Sequence, residues 1–243
     1  MIPDPTPHAT RLSVEGTFNF REVSPGLLRP GRLYRSDALH GLTARGRSQL
    51  AGMGISRVID LRSRLDRRLT GRDRLRGVGA EYLSIPIRGV GRRFDPSTIT
   101  LAAVYRNILE QEGTQVGAAI RAIADAEGPV VVHCTAGKDR AGIVVALTLL
   151  ALGVDTDTVT ADFASSASNL AGVWTDQMVR KARRFGVSLT DELLEVLAGS
   201  PASALRDALR IVEEEHGGVP AYLSEIGVDA AVVARLHAGL DRR

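Results

Sequence analysis

Hydrophobic positions fall into two regimes along this chain. Before about residue 140 short apolar runs of strand length are set between helical segments; beyond it come one long apolar run and then helical spacing. Ser56 to Leu61 (Ser-Arg-Val-Ile-Asp-Leu), Glu81 to Ile87 and Val130 to His133 are predicted strands, the first preceded by a helix from about Thr43 to Gly52. Residues 11 to 34, with Leu12, Val14, Phe18 and Phe20 alternating before Leu33-Tyr34, predict an antiparallel edge. The longest apolar run, Ala141 to Val154, is shorter than the roughly 20 residues that cross a bilayer, and predicts a buried central helix. From Asp155 onward the pattern is helical throughout. Thr190-Asp-Glu supplies an N-cap with first-turn acids, Pro201 a first helical position, and His216-Gly217-Gly218 a stop.

Strands separated by helical segments, without tight hairpins, predict an α/β fold: a central, mostly parallel sheet flanked by helices, with extra C-terminal helices and the ligand site at the carboxyl ends of the strands. Asp60 and Cys134 then share that rim. No linker divides residues 11–243, which are expected to form a single catalytic domain; residues 1–10, rich in proline, are expected to be disordered.

Composition narrows this picture. With 243 residues and 44% hydrophobic content the chain has material for a sizeable core. One cysteine permits no internal disulfide, and Met1 to Arg11 hold three prolines and no apolar stretch resembling a signal peptide. A cytoplasmic location is expected, with secretion by a route needing no cleavable signal left open. The net charge of +3 conceals an asymmetry. Residues 1–140 carry 22 basic against 14 acidic side chains, net +8, and residues 141–243 carry 9 against 14, net −5. The excess includes Arg62, Arg64, Arg67, Arg68, Arg72, Arg74 and Arg76, broken by Asp66 and Asp73; this run reads as a basic loop over the site or as an exposed, salt-bridged helix. Arg62, directly after the Asp60-Leu61 strand end, is the member expected to touch ligand. Aromatic content of 4% and the lack of any recognised motif argue against nucleic-acid binding.

The chemistry concentrates where the two regimes meet. Residues 130 to 142 read Val-Val-Val-His-Cys-Thr-Ala-Gly-Lys-Asp-Arg-Ala-Gly, with Cys134 between a buried strand and an apolar helix. Backbone N–H groups at a helix start carry partial positive charge and have no intrahelical partner, so Thr135, Ala136, Gly137, Lys138, Asp139 and Arg140 form a nest for phosphoryl oxygens. The same field favours a cysteine anion, whose pKa falls from about 8.5 to roughly 3.5–7.5 in such settings. Arg140 adds a planar fork that meets two phosphate oxygens at once.

Asn19-Phe20-Arg21-Glu22, Pro30 to Asp37, Asp60-Leu61-Arg62-Ser63, His133 to Gly142, and Tyr222-Leu223 with Gly227-Val228 together resemble the bacterial tyrosine phosphatases of the His-Cys-x-x-Gly-Lys-Asp-Arg type, over roughly residues 11 to 240. The group includes mycobacterial phosphatases acting on phosphotyrosine, phosphoserine/threonine and phosphoinositides. The resemblance implies a tyrosine-phosphatase-like fold, a cysteinyl-phosphate intermediate and no metal or other cofactor, with a phosphorylated protein or a phosphoinositide as partner. Cys134 matches the nucleophile and Arg140 the phosphate-binding arginine. Lys138 resembles a second basic residue suited to multiply phosphorylated headgroups, and His133 is expected to support the loop through backbone.

Two departures stand out. Ala141 replaces the Ser or Thr that usually follows the arginine and hydrogen-bonds the sulfur. No Trp-Pro-Asp lid exists, and the sole tryptophan, Trp174, follows the cysteine. For the general acid, Asp139 ranks first, Asp60 second and Asp95 third. Two other readings remain open at this level: a catalytically weak module binding phosphotyrosine or phosphoinositide, and a rhodanese-like sulfurtransferase.

Overall fold

The structure is a computed structural model that describes residues 11–24, 26–90, 99–184, 186–187 and 189–242. The segment expected to be disordered, 1–10, and the acid candidate Asp95 lie outside the described residues. Five strands are present among those described: β1 (Arg21–Glu22), β2 (Leu33–Ser36), β3 (Arg57–Asp60), β4 (Glu81–Ser84) and β5 (Val130–His133). They form one sheet in the order β1-β2-β5-β3-β4, antiparallel between β1 and β2 and parallel elsewhere. The expected antiparallel edge is present as Arg21–Glu22 against β2, extended by an isolated antiparallel bridge from Arg11 to Arg21, and β4 stops three residues short of the predicted Ile87.

Side-chain alternation on these strands divides the interior in two. Leu33, Ile59, Val130 and Val132 face the larger core, and Cys134 continues that series; Tyr34, Val58 and Val131 face the smaller one. The smaller core is closed by α1 (Ala44–Gly52), capped by the Thr43 side chain accepting from the Gly46 N–H at 3.1 Å. The larger is covered by α3 (Leu101–Gln111), α4 (Gly113–Ala124) and α5 (Asp139–Ala151). It is closed further by α6 (Thr156–Leu170), α9 (Ala202–His216), α10 (Val219–Glu225) and α11 (Ala230–Leu240). As the apolar run predicted, α5 is buried over most of its surface, from Ala141 to Leu149.

The remaining helices sit around the carboxyl ends of the strands. The arginine run contains a short helix, α2 (Arg64–Thr70), closed at its start by a reciprocal capping box: the Ser63 hydroxyl accepts from the Asp66 N–H, and Asp66 accepts from the Ser63 N–H. Opposite it lie α7 (Val173–Arg184) and α8 (Asp191–Ala198), the latter capped by Thr190 as predicted. Pro201 is the N-cap of α9, one position earlier than expected, because its extended ψ of 138° is not helical. Gly217, at φ +73°, ends α9 in the left-handed conformation. No helix among the described residues is long and apolar enough to cross a membrane.

Candidate active site

Ser36, Asp60 and His133 stand at one level across β2, β5 and β3, so Cys134 emerges at the centre of the sheet's carboxyl edge. The loop after it turns its carbonyls away from the sulfur. Asn19 Nδ2 donates to the carbonyls of Ala136 (2.9 Å) and Gly137 (3.3 Å). Arg35 donates through Nε to Gly137 (2.7 Å) and through Nη2 to Lys138 (2.9 Å), and the Ala38 N–H reaches the Thr135 carbonyl at 3.2 Å. With the carbonyls held outward, the Gly137 N–H donates to Cys134 Sγ at 3.3 Å, and Lys138, the N-cap of α5, leaves that helix without a side-chain cap. Gly137 is required here twice over. Its φ is +69°, and a Cβ would stand 2.3 Å from the Ser36 carbonyl oxygen.

The clamps are themselves fixed. Asp37 Oδ1 accepts from the Phe18 and Asn19 N–H groups, while burial pushes its carboxyl up to about 6. Arg21 binds Asn19 Oδ1 at 2.5 Å, and Arg21 and Arg35 share Asp162 and the Ser166 hydroxyl on α6. Burial and the neighbouring Arg35 lower Arg21 to about 9. Two buried guanidiniums over one carboxylate leave a positive field beneath the loop, which favours an anion above it.

Arg140 projects from the first turn of α5 across the loop. Its Nη2 donates to Thr135 Oγ1 at 3.1 Å, and its Nη1 to Asp66 Oδ2 at 2.6 Å and to the Ile87 carbonyl at 3.3 Å. Burial alone would lower Arg140, but Cys134 and Asp66 outweigh it and hold the guanidinium charged. Likewise burial would raise Asp66, and the Arg140 charge and hydrogen bond bring it below the ordinary carboxylate range. Asp66 was not among the expected site residues. Its signal was present, since Ser63-x-x-Asp66 directly after the Asp60-Leu61-Arg62 strand end is a capping-box pattern that anchors a carboxylate at the rim.

Asp60 and Arg62 are put to a different use from the one expected. Arg62 binds Asp60 with two parallel bonds of 2.9 Å, reaches Asp73 at 2.8 Å, and donates to Thr70 Oγ1 and the Gly71 carbonyl. Both side chains are fully buried, so Arg62 organises the strand end and turns no donor toward a ligand. Burial would raise Asp60, but His133 and Arg62 hold it down at about 2, and the Tyr82 hydroxyl donates to its other face at 2.7 Å. A carboxyl so held keeps no proton to donate. His133 is buried, with Nδ1 3.3 Å from the Cys134 carbonyl and Nε2 3.0 Å from Asp73. Burial would lower its pKa, whereas Asp73 and Asp60 raise it, so a cation is favoured one residue from the sulfur. Asp60, Asp73 and His133 gather metal-type donor atoms within 4.8 Å, and the Arg62 guanidinium is the cation that meets the two carboxylates.

Lys138 also departs from expectation. It is 1% exposed, and its Nζ donates to the Gly199 carbonyl at 2.5 Å and lies 3.1 Å from Asp139 Oδ1. The ammonium thus points into the junction between α8 and α9 rather than outward. Asp139 Oδ1 accepts from Tyr105 at 3.0 Å as well, a bond that with burial raises the phenol. Between α2, α7 and α8 runs a groove of about 390 Å³ with Asp66, Leu69 and Thr135 on one side and Met178, Val187 and Leu197 on the other. Lys181 Nζ spans its edge, donating to the Leu69 carbonyl at 2.7 Å. Trp174 packs with Leu170 against Ala136 of the loop.

A sequence model for the tyrosine phosphatase family matches residues 12–241. The triple specificity protein phosphatase PtpB of Mycobacterium tuberculosis is 29% identical over 91% of this chain and 95% of its own length. A tyrosine-protein phosphatase of Nostoc commune is 29% identical over 83% and 71%. Among solved structures, P. aeruginosa TpbA superposes with a TM-score of 0.42 at 19% identity, covering 79% of this chain and 98% of its own.

Proposed function

The chain belongs to the tyrosine phosphatase family and is a phosphoric monoester hydrolase; from that premise we propose that it dephosphorylates phosphotyrosine, phosphoserine/threonine and phosphoinositides through a cysteinyl-phosphate on Cys134. The observation that carries this reading is the loop itself, with its carbonyls clamped outward by Asn19 and Arg35, an amide on the sulfur, and a charged arginine across its mouth. The breadth of substrates is supported by the triple specificity named for the mycobacterial relative. A thiol that must stay reduced to react supports a cytoplasmic location.

In the first step the Cys134 thiolate attacks phosphorus, the bond from phosphorus to the ester oxygen breaks, and that oxygen takes a proton. We assign the proton to Asp66. Asp60 is ionised and enclosed, and Asp139 is bound by Lys138 and Tyr105, whereas Asp66 borders the groove where a leaving group fits. In the free enzyme Asp66 is ionised on Arg140. An arriving phosphate takes the arginine fork, and the loss of that cation raises Asp66 toward a proton-carrying state. In the second step water attacks phosphorus, Asp66 accepts its proton, and the thiolate departs with inorganic phosphate. Hydrolysis of p-nitrophenyl phosphate without added metal, inhibited by vanadate and abolished in Cys134→Ser with substrate binding retained, is the expected result. Turnover by Cys134→Ser at the parent rate would overturn the reading.

A further inference from the structure

Helix α2 has two different faces. At 100° per residue Asp66, Leu69 and Thr70 fall together and border the groove beside the catalytic loop, while Arg64, Arg67 and Arg68 fall on the opposite side. That second side is one wall of a cleft of about 760 Å³, whose other walls include Arg72 and Arg76 and whose surface includes Leu75 and the half-exposed Tyr82 ring. We propose that this cleft is a separate, non-catalytic binding site for a small polyphosphorylated ring compound.

Charge balance is the first argument. Arg64, Arg68, Arg72 and Arg76 meet no carboxylate among the described residues, and Arg67 reaches only a hydroxyl, a carbonyl and, at 3.9 Å, Asp60. The one carboxylate lining the cleft, Asp73, is already engaged by Arg62, the Leu39 N–H and His133. Elsewhere Arg88 pairs with Glu112, Arg206 with Asp157 and Arg235 with Asp125, while the exposed Arg45, Arg180, Arg183 and Arg184 also meet no carboxylate among the described residues but do not line this concavity; what distinguishes the cleft is the gathering of five guanidiniums around one hollow. Five guanidiniums around one concavity repel one another, and a bound polyanion relieves that repulsion.

Shape and distance give the second argument. The volume lies in the range of small-ligand pockets. An aromatic face beside planar donor forks suits a ring bearing several phosphates, whether an inositol polyphosphate or a nucleotide. A helix with its side chains is about 10 Å across, so a single headgroup held by Arg140 does not reach over α2 into the cleft. The occupant is a second molecule.

The test is calorimetric titration of the full chain with inositol hexakisphosphate and, in a separate arm, with ATP, without divalent metal and with vanadate filling the catalytic loop. One-to-one binding that survives vanadate, weakens at least tenfold in R68Q/R72Q/R76Q and falls steeply between 50 and 200 mM salt is expected; the arm with the tighter affinity identifies the ring. The variant should keep parent rates on p-nitrophenyl phosphate, and Arg72→Gln alone serves if the triple change impairs folding. Binding abolished by vanadate, binding unchanged in these variants, or association only with an oligonucleotide or with phosphatidylserine vesicles would overturn the proposal.

Discussion

The two faces of α2 solve anion attraction in different ways. On the loop side the donors are backbone amides fixed by buried clamps, with one arginine held across them. On the cleft side they are long guanidinium side chains, four of them exposed and without carboxylate partners among the described residues and the fifth, Arg67, only grazing Asp60 at 3.9 Å. The first arrangement is organised before the ligand arrives, so it loses little entropy on binding and aligns one phosphorus with one sulfur. The second attracts charge without fixing geometry. Chemistry belongs to the first, salt-sensitive binding to the second.

That contrast is broken most severely by weakening the organised side. Arg140→Lys keeps the charge but loses the fork, and should lower kcat/KM on aryl phosphates by roughly 10²–10³-fold. Arg72→Lys in the cleft should leave that rate within about twofold. Comparable losses from both, measured side by side, would erase the distinction.

Asp66→Asn comes next, with a loss in kcat of about 10²-fold or more on phenyl phosphate and a smaller one on p-nitrophenyl phosphate, whose leaving group needs less protonation. The sign of the pH dependence follows from the role: an acid must carry its proton, so parent kcat on phenyl phosphate falls as pH rises through the pKa of Asp66 in the complex, and the variant loses that limb. Because Asn no longer neutralises Arg140, vanadate should bind the variant more tightly. Weaker vanadate binding would mean that Asp66 supports the loop instead of competing for it.

Much of this organisation is legible in the sequence, and the boundary is physical. Residues 130 to 142 announce a nest because strand, turn glycine and helix follow one another within thirteen positions, and the local spacing is the structure. The clamps are not legible in that way. Asn19 reaches the loop from 117 residues away and Arg35 from 102, and nothing in either neighbourhood says which carbonyls they hold. Arg62 looked outward because it follows a strand end, yet Asp73, eleven residues on, returns to pair with it. The arginine run was expected as a loop or a salt-bridged helix. It is a two-turn helix in which Asp66 takes the ion pair with Arg140 and Arg67 reaches Ser84 and, at 3.9 Å, Asp60, while Arg64 and Arg68 meet no carboxylate among the described residues and line the cleft.

Lys138 sharpens the comparison from a third side, because it is a cation within the loop that faces neither anion. The resemblance implied a headgroup contact, whereas its burial against Gly199 predicts a structural effect. Lys138→Ala should cost about 1–3 kcal/mol of stability by leaving that carbonyl unpaired, read as a lower Tm, with similar changes in kcat/KM on p-nitrophenyl phosphate and on a phosphoinositide. A loss confined to the phosphoinositide would return the lysine to the substrate.

The smallest expected effect tests how complete the organised side is. Ala141 lacks the hydroxyl that usually steadies the departing thiolate, and such a bond to a charged group is worth about 1.5–3 kcal/mol at most. Here the Gly137 amide already donates to the sulfur at 3.3 Å, so part of that stabilisation is in place. Rapid mixing with p-nitrophenyl phosphate should therefore give a burst of nitrophenol approaching one equivalent, and Ala141→Ser should raise the following steady rate by a fewfold to about tenfold while shrinking the burst. The first step responds less, because a better stabilised thiolate is also a weaker nucleophile. If the parent shows no burst and Ala141→Ser leaves the rate unchanged, the backbone amide suffices as the sulfur's partner or formation of the phosphoenzyme limits turnover, and the loop needs no hydroxyl to finish its cycle.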